Sequence, residues 1–206
     1  MTLRSCMNSA PHARRGFTLT EIAIVLGIIG LILGAIWAAA SAVYNNMRSS
    51  RAQQEILTVA QNIRAMYATQ SALDTSATND TYISAGVFPS DSTVEDAAGG
   101  GASGKVAKNP WGGNLIVQAN SGDSSQFDVI MEYVPQNACI TLATSTTGTG
   151  RDSGLVNMKV ENTTIGSSSG SPDFPVKASA AASACQKQTG ATRTTNTLIW
   201  TFRLRS

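Results

Sequence analysis

The residues best placed to do chemistry lie near the start of the chain. Two arginines, Arg14 and Arg15, precede Gly16, and the carboxylate of Glu21 follows five residues after that glycine. Beyond Glu21 comes an uncharged apolar run, residues 22–40, which is long enough to cross a bilayer. A carboxylate at the mouth of such a segment is costly in lipid unless a positive group neutralises it. We therefore predict that Glu21 takes its counter-ion from another copy of the chain.

This pattern resembles the class III signal sequence of type IV prepilins. That sequence has a short basic leader, a glycine, a hydrophobic residue, a glutamate five residues into the mature chain and an apolar helix. The resemblance implies that residues 1–16 are a leader, and that prepilin peptidase cuts after Gly16 and methylates Phe17. It also implies that Glu21 neutralises the α-amino group of Phe17 on a neighbouring subunit. The alternatives are a helix-start carboxylate favoured by the helix dipole and an ordinary secretory signal cleaved near Ser41.

The rest of the chain is similar in layout to type IVb pilins. About 190 residues follow the leader, and residues 135–139 and 197–202 look like parts of conjugative thin-pilus and enterobacterial colonisation pilins. The implied function is a structural subunit that polymerises through its N-terminal helix into a type IV pilus for adhesion, mating-pair contact or colonisation. The alternative within this class is a minor pilin or a type II secretion pseudopilin.

The resemblance also implies partners and a location. The partners are further copies in a helical filament, prepilin peptidase, the membrane, and an inner-membrane assembly platform with its ATPase. The precursor is expected in the inner membrane and the pilus outside a Gram-negative cell.

Two motifs suggest enzyme chemistry but lack the partners that it requires. Residues 166–170 fit the G-x-S-x-G pattern of hydrolases, which need a base, normally histidine. The only histidine is His12, inside the leader. Residues 99–105 nearly form a phosphate-binding loop, but Val106 stands where Ser or Thr must hold magnesium. We predict no catalytic residues, no cofactor and no metal site; the alternative from another class is a signal-anchored periplasmic enzyme.

The distribution of charge indicates how the chain is oriented in the membrane. The sequence offers no signal of nucleic-acid binding. The chain has 15 Lys and Arg against 13 Asp and Glu. Residues 1–16 contain three arginines and no acid, so the remaining side chains count 12 against 13. Because Lys and Arg beside an apolar span stay cytoplasmic, everything past the span is predicted to lie outside.

Two of the three cysteines lie on that predicted outer side. Cys6 is in the leader, whereas Cys139 and Cys185 follow the span. An even pair in an oxidising compartment is expected to form a disulfide, which would contribute roughly 4 kcal/mol. Two separate buried thiols are the alternative.

A long helix must position these groups. Residues 17–71 are predicted as one helix, whose half at 17–44 spans the membrane or the filament core and whose half at 45–71 is amphipathic. In the second half, apolar residues recur at helical spacing: Ile56, Val59, Ala60, Ile63, Met66 and Tyr67. Glu55 and Arg64 are assigned to other faces.

A globular head, residues 45–206, is predicted to complete an α+β fold. Polar and glycine-rich residues at 72–109 predict a long loop with little regular structure. Residues 110–206 then hold the sheet and the disulfide-bounded region. Strands are predicted at 115–117, 127–133, 155–160 and 198–204, and short helices that carry the two cysteines at 135–144 and 178–186. The resemblance implies the type IV pilin fold, a long helical spine packed on an antiparallel sheet.

Overall fold

The computed structural model describes residues 18–96, 103–148, 152–161, 163–165, 174–186 and 195–205. The chain divides into an N-terminal unit that ends at Val43 and a second unit that begins at Tyr44. The first helix, α1, runs from Leu19 to Met66. It therefore ends five residues before the predicted boundary. Beyond the helix, Leu73 is buried and donates its backbone N–H to the Ser124 carbonyl at 2.8 Å, a contact with a distant loop that replaces helical hydrogen bonding.

In the second unit, α1 buries one face. Its buried apolar residues follow the helical period, and they are Ala52, Ile56, Val59, Ala60 and Ile63. Burying each Val or Ile contributes about 1.5–3 kcal/mol. Two of the sequence assignments are wrong. Met66 is exposed, because the buried stripe passes from Ile63 to Tyr67. Glu55 is buried, because it lies on the same stripe, four residues before Val59.

A five-stranded antiparallel sheet forms the rest of the core. Its strands are β3 (Leu115–Ala119), β4 (Gln126–Pro135), β5 (Leu155–Val160), β6 (Thr163–Thr164) and β7 (Thr195–Arg203), in the order β3-β4-β7-β5-β6. The last strand in sequence, β7, is therefore central, and Leu198, Trp200 and Phe202 on one of its faces are buried. The predicted α+β class, a long helix on an antiparallel sheet, is confirmed.

The segment 72–109, predicted as a loop, contains regular structure. It holds α2 (Asn79–Ser84) and a two-stranded hairpin of β1 (Thr93–Glu95) and β2 (Lys105–Ala107). The polar composition concealed a small apolar cluster, because Tyr82, Ile83, Val87 and Phe88 are all buried. The side chain of Asn79 also serves the edge of β3, where it accepts from Val117 N–H at 2.9 Å and donates to the Leu115 carbonyl at 3.3 Å. These contacts hold α2 against the sheet.

A tight turn joins β2 to β3. The Asn109 side-chain oxygen accepts from the backbone N–H groups of Trp111 and Gly113, and its amide donates to the Glu132 carbonyl at 2.6 Å. A Cβ at Gly113 would overlap that carbonyl oxygen, so only glycine allows the turn to approach β4 this closely. Residues 110–112, with the sequence Pro-Trp-Gly, thus form a structural turn.

Two short helices, α3 (Gln136–Thr146) and α4 (Ala178–Ala184), pack against each other beside the sheet. They lie close to their predicted positions. The buried indole of Trp200 donates to the Thr146 hydroxyl at 3.0 Å, which fixes the end of α3 against the central strand.

Candidate functional site

Glu21 lies in the first turn of α1 and closes a capping box with Thr18. The Oε2 atom of Glu21 accepts from the Thr18 N–H and from the Thr18 hydroxyl, both at 2.8 Å. In return, the Glu21 N–H donates to the Thr18 hydroxyl oxygen at 3.3 Å. This reciprocal pair satisfies two of the orphan donors at a helix start. The T-x-x-E spacing in the sequence is the signal for this arrangement, and sequence reasoning missed it.

The carboxylate of Glu21 has no cationic partner among residues 18–96, the described segment that contains it, or elsewhere in the described residues. Gly16 and Phe17, the predicted cleavage and methylation residues, lie outside the described residues. The structure therefore places neither of them relative to Glu21. It shows Glu21 as one partner of the capping box at the start of α1.

The large apolar side chains of residues 22–40, which follow Glu21 in α1, are exposed. The exposed fraction of the residue is 76% for Leu31 and 75% for Trp37. No residue in the most apolar 18-residue window of α1 is buried, and α1 is long and apolar enough to cross a membrane. A core helix of a globular domain would instead be mostly buried. This segment therefore depends on lipid or on other chains to remove its side chains from water.

A disulfide joins the two short helices, as the cysteine count predicts. The sulfur atoms of Cys139 in α3 and Cys185 at the end of α4 are bonded, with Cα atoms 5.9 Å apart and both side chains fully buried. The bridge closes an interval of 46 residues. This interval includes β5 and β6, and the bridge limits its conformational freedom in the unfolded chain.

Two ionic clusters tie α1 to the rest of the second unit, and sequence reasoning found neither. In the first, Arg51 contacts both Glu55, at 3.3 Å, and Asp91. Burial raises the pKa of Glu55 to about 7, while Arg51 opposes the shift and Asp91 adds to it. The Oε2 atom of Glu55 is buried without a hydrogen-bond partner in the described part of the chain.

In the second cluster, Arg64 forms two parallel hydrogen bonds of 2.8 Å with Asp152, which precedes β5. Arg64 also donates through Nε to the Arg203 carbonyl at 3.0 Å. These bonds from Arg64 hold the pKa of Asp152 below its ordinary value. The bidentate geometry is the strong form of such a pair. Because 88 residues separate the partners, no local sequence pattern predicts the contact.

The comparisons with known proteins agree with this architecture. A family model described as PilS N terminal matches residues 46–203, which is most of the chain. The chain belongs to the PilS family. A second model, the prokaryotic N-terminal methylation motif, matches residues 11–37, a range that includes Gly16, Phe17 and Glu21. No curated protein sequence matches the chain significantly.

Solved pilin structures resemble this PilS-family chain. The crystal structure of a type IVb pilin from Salmonella typhi is 26% identical, with a TM-score of 0.52, and the match covers 77% of this chain and 99% of that one. An NMR structure of PilS from Salmonella typhi is 25% identical, with a TM-score of 0.46 and coverages of 75% and 95%. The Vibrio cholerae El Tor pilin TcpA is 14% identical, with a TM-score of 0.48 and coverages of 75% and 98%.

Membership of the PilS family decides the general function. The chain is a type IV pilin, a structural subunit of a pilus rather than an enzyme. The methylation motif implies processing by prepilin peptidase, and a pilin polymerises into a pilus. The apolar start of α1 is consistent with a membrane-held precursor.

Proposed function

We propose that the precursor is cut between Gly16 and Phe17 and methylated at Phe17. In the filament, the Glu21 carboxylate then pairs with the α-amino group of Phe17 on a neighbouring subunit. An inner-membrane platform and its ATPase extract the processed chain and assemble a pilus outside a Gram-negative cell. The observation that carries this proposal is the methylation motif at residues 11–37 on a helix whose apolar side chains no described residue covers.

The electrostatic argument concerns the change of surroundings on assembly. In the single chain Glu21 is exposed and accepts two hydrogen bonds from Thr18. When apolar helices bundle, the same carboxylate loses water, and an unpaired charge in such surroundings costs several kcal/mol. The amine created by cleavage supplies the opposite charge. The pair would also set the axial register, because it forms only where the two chain starts meet.

The first test is the intact mass of protein sheared from the cell surface. The proposal requires the loss of residues 1–16, the gain of one methyl group and the loss of two hydrogens for the Cys139–Cys185 bridge. A mass that begins at Met1 would contradict processing. A mass that begins near Ser41 would instead show an ordinary secretory cleavage.

The second test separates the assembly role of Glu21 from its capping role. Glutamine can replace glutamate in a capping box but carries no charge. Glu21→Gln should therefore keep the helix start and leave leader removal largely intact, yet yield few or disordered filaments. Thr18→Ala is the matched control, because it removes the box and keeps the carboxylate. Normal filaments from Glu21→Gln, or equal loss of filaments in both variants, would contradict the proposed pair.

Abundance distinguishes a major pilin from a minor one. We expect this chain to be the main component of sheared filaments, measured by quantitative mass spectrometry. If it is a trace component, it is a minor pilin. The disulfide favours a pilin over a pseudopilin, whose C-terminal region usually has no such bridge. Use of the filament in adhesion, mating-pair contact or colonisation stays a prediction.

A further inference from the structure

We propose that Tyr44 and Arg48 form a binding site for the phosphodiester group of an anionic phospholipid, in the leaflet that faces the head. The proposal rests on the membrane-held precursor proposed above. Both residues belong to the second unit, at the point where the apolar stretch of α1 gives way to polar residues.

The two side chains form a preorganised pair. The guanidinium carbon of Arg48 lies 4.3 Å from the centre of the Tyr44 ring, and one Arg48 nitrogen donates to the Tyr44 hydroxyl at 2.8 Å. Stacking and the hydrogen bond both restrict the arginine, so less side-chain freedom is lost when a ligand binds. A guanidinium has five N–H donors. In the described residues, only the bond to Tyr44 uses one of them.

No described carboxylate forms an ion pair with Arg48. Arg51, the next cation, contacts the carboxylates of Glu55 and Asp91. Arg48, in contrast, has no carboxylate within 4.0 Å in the part of the chain that the structure describes. A planar guanidinium with free donors matches the oxygens of a phosphate through two parallel hydrogen bonds. Arg48 can therefore offer its unused donors to an anion that no described residue of the head supplies.

The position along the chain indicates the source of that anion. Residues 22–47 contain no charged side chain, and 26 residues of helix measure about 39 Å. A bilayer with its head groups is about 40–45 Å thick. Arg48 is thus the first charge on the outer side, at the depth of the phosphate groups. Tyrosine is typical of this interfacial layer, and the exposed fraction of Tyr44 is 56%.

The test uses the full chain reconstituted in vesicles of phosphatidylcholine with phosphatidylglycerol and released gently for native mass spectrometry. Wild type should retain phosphatidylglycerol. Arg48→Gln should retain about tenfold less, the factor expected for loss of a charge-assisted hydrogen bond. Arg48→Lys should retain an intermediate amount, because it keeps the charge but not the planar fork. Lys105→Gln, which removes an exposed charge in β2, is the matched control and should behave as wild type.

Several results would overturn the proposal. Equal lipid retention by wild type and Arg48→Gln would do so, as would equal losses in Arg48→Gln and Lys105→Gln. Displacement of the lipid by inorganic phosphate at equal concentration would show a general anion site. If Arg48→Gln changed only the fraction of oligomers, the partner would be a carboxylate on another copy. A separate check is alkaline extraction of membranes: if wild type itself is extracted, the membrane-held precursor fails rather than the lipid site.

Discussion

The two halves of α1 share one backbone and differ in what surrounds their side chains. Before Tyr44, large apolar side chains are exposed, and Leu31 and Trp37 are each about three-quarters accessible. After Tyr44, Val59 and Ile63 are fully buried against the rest of the head. Both halves contain large aliphatic residues, so residue type alone does not determine whether such a side chain is buried. Among the described residues, only the second half of α1 contributes side chains to the buried core.

This contrast separates two physical roles for the same kind of residue. Apolar area stabilises a fold only when folding removes it from water. In the second half, that removal occurs within one chain and contributes to the stability of the head. In the first half, it requires lipid or other subunits and contributes to insertion or assembly. A substitution in the second half should therefore change the stability of the head and not assembly. A substitution in the first half should change insertion or assembly and not the stability of the head.

The disulfide should produce the largest effect confined to the head. Replacing Cys139 and Cys185 together by alanine should lower the free energy of unfolding by about 4 kcal/mol, because the open chain regains the freedom of a 46-residue loop. Urea unfolding followed by near-ultraviolet circular dichroism measures this. Wild type treated with reductant is the control and should approach the variant. Identical midpoints for oxidised and reduced wild type would contradict a stabilising bridge, and membrane insertion should not change in either case.

One substitution made in both halves tests the contrast directly. Ile63→Ala should destabilise the head by about 3 kcal/mol, since a fully buried isoleucine leaves a cavity. Ile32→Ala, where the isoleucine is half exposed, should leave the thermal unfolding of the head in mild detergent unchanged. Filament yield should show the opposite sensitivity to Ile32. A shift of the unfolding temperature by Ile32→Ala as large as that of Ile63→Ala would remove the distinction between the halves.

The Arg64–Asp152 pair should give a smaller, pH-dependent effect within the head. Asp152→Asn should cost about 2 kcal/mol at neutral pH, because Arg64 loses its carboxylate while mostly buried. The pKa of Asp152 is depressed, so its contribution is present above the ordinary aspartate range and is lost as pH falls through the folded pKa. Stability curves from pH 7 to pH 2 should therefore converge in acid. Glu95→Gln, at an exposed carboxylate in β1, is the control; a constant gap at all pH values would contradict this account.

Periodicity and turn residues predicted the larger elements of the fold. The helical spacing around Val59 and the alternation in β7 each report a surface that is half buried. The same logic failed for α2 and the β1–β2 hairpin. These elements are too short to show a period, and their order comes from a few contacts such as that of Asn79 with the edge of β3.

Some residues of the candidate site can be found from local sequence, and others cannot. Glu21 stands out in the sequence because its spacing from Gly16 and from the apolar run is local, and its role in assembly stays a prediction. The bond between Arg64 and Asp152 could not, because the fold alone brings the two residues together. Glu55 is an intermediate case. Its spacing of four and eight residues from Val59 and Ile63 indicated burial on the same helix face. The ordinary preference of carboxylates for solvent argued against burial.

The two glutamates of α1, one in each half, test the comparison between the halves through the smallest expected effect. Glu21 is exposed and accepts two hydrogen bonds from Thr18, whereas Glu55 is buried with one oxygen unpartnered in the described chain. Burial raises the pKa of Glu55 to about 7, so the folded head binds a proton that the unfolded chain releases. This group therefore makes the head less stable as pH rises from about 4.5 to about 7, with no further change above.

Glu55→Gln should consequently stabilise the head by about 1 kcal/mol at pH 8, where wild type must hold the charge, and change little at pH 5. Thermal unfolding at the two pH values measures this, with Glu95→Gln expected to be neutral at both. If Glu55→Gln is less stable than wild type at pH 8, the pairing with Arg51 outweighs the cost of burial. The same exchange at Glu21 should leave the head unchanged and impair assembly, because we propose that the Glu21 charge pairs with the amine of another chain.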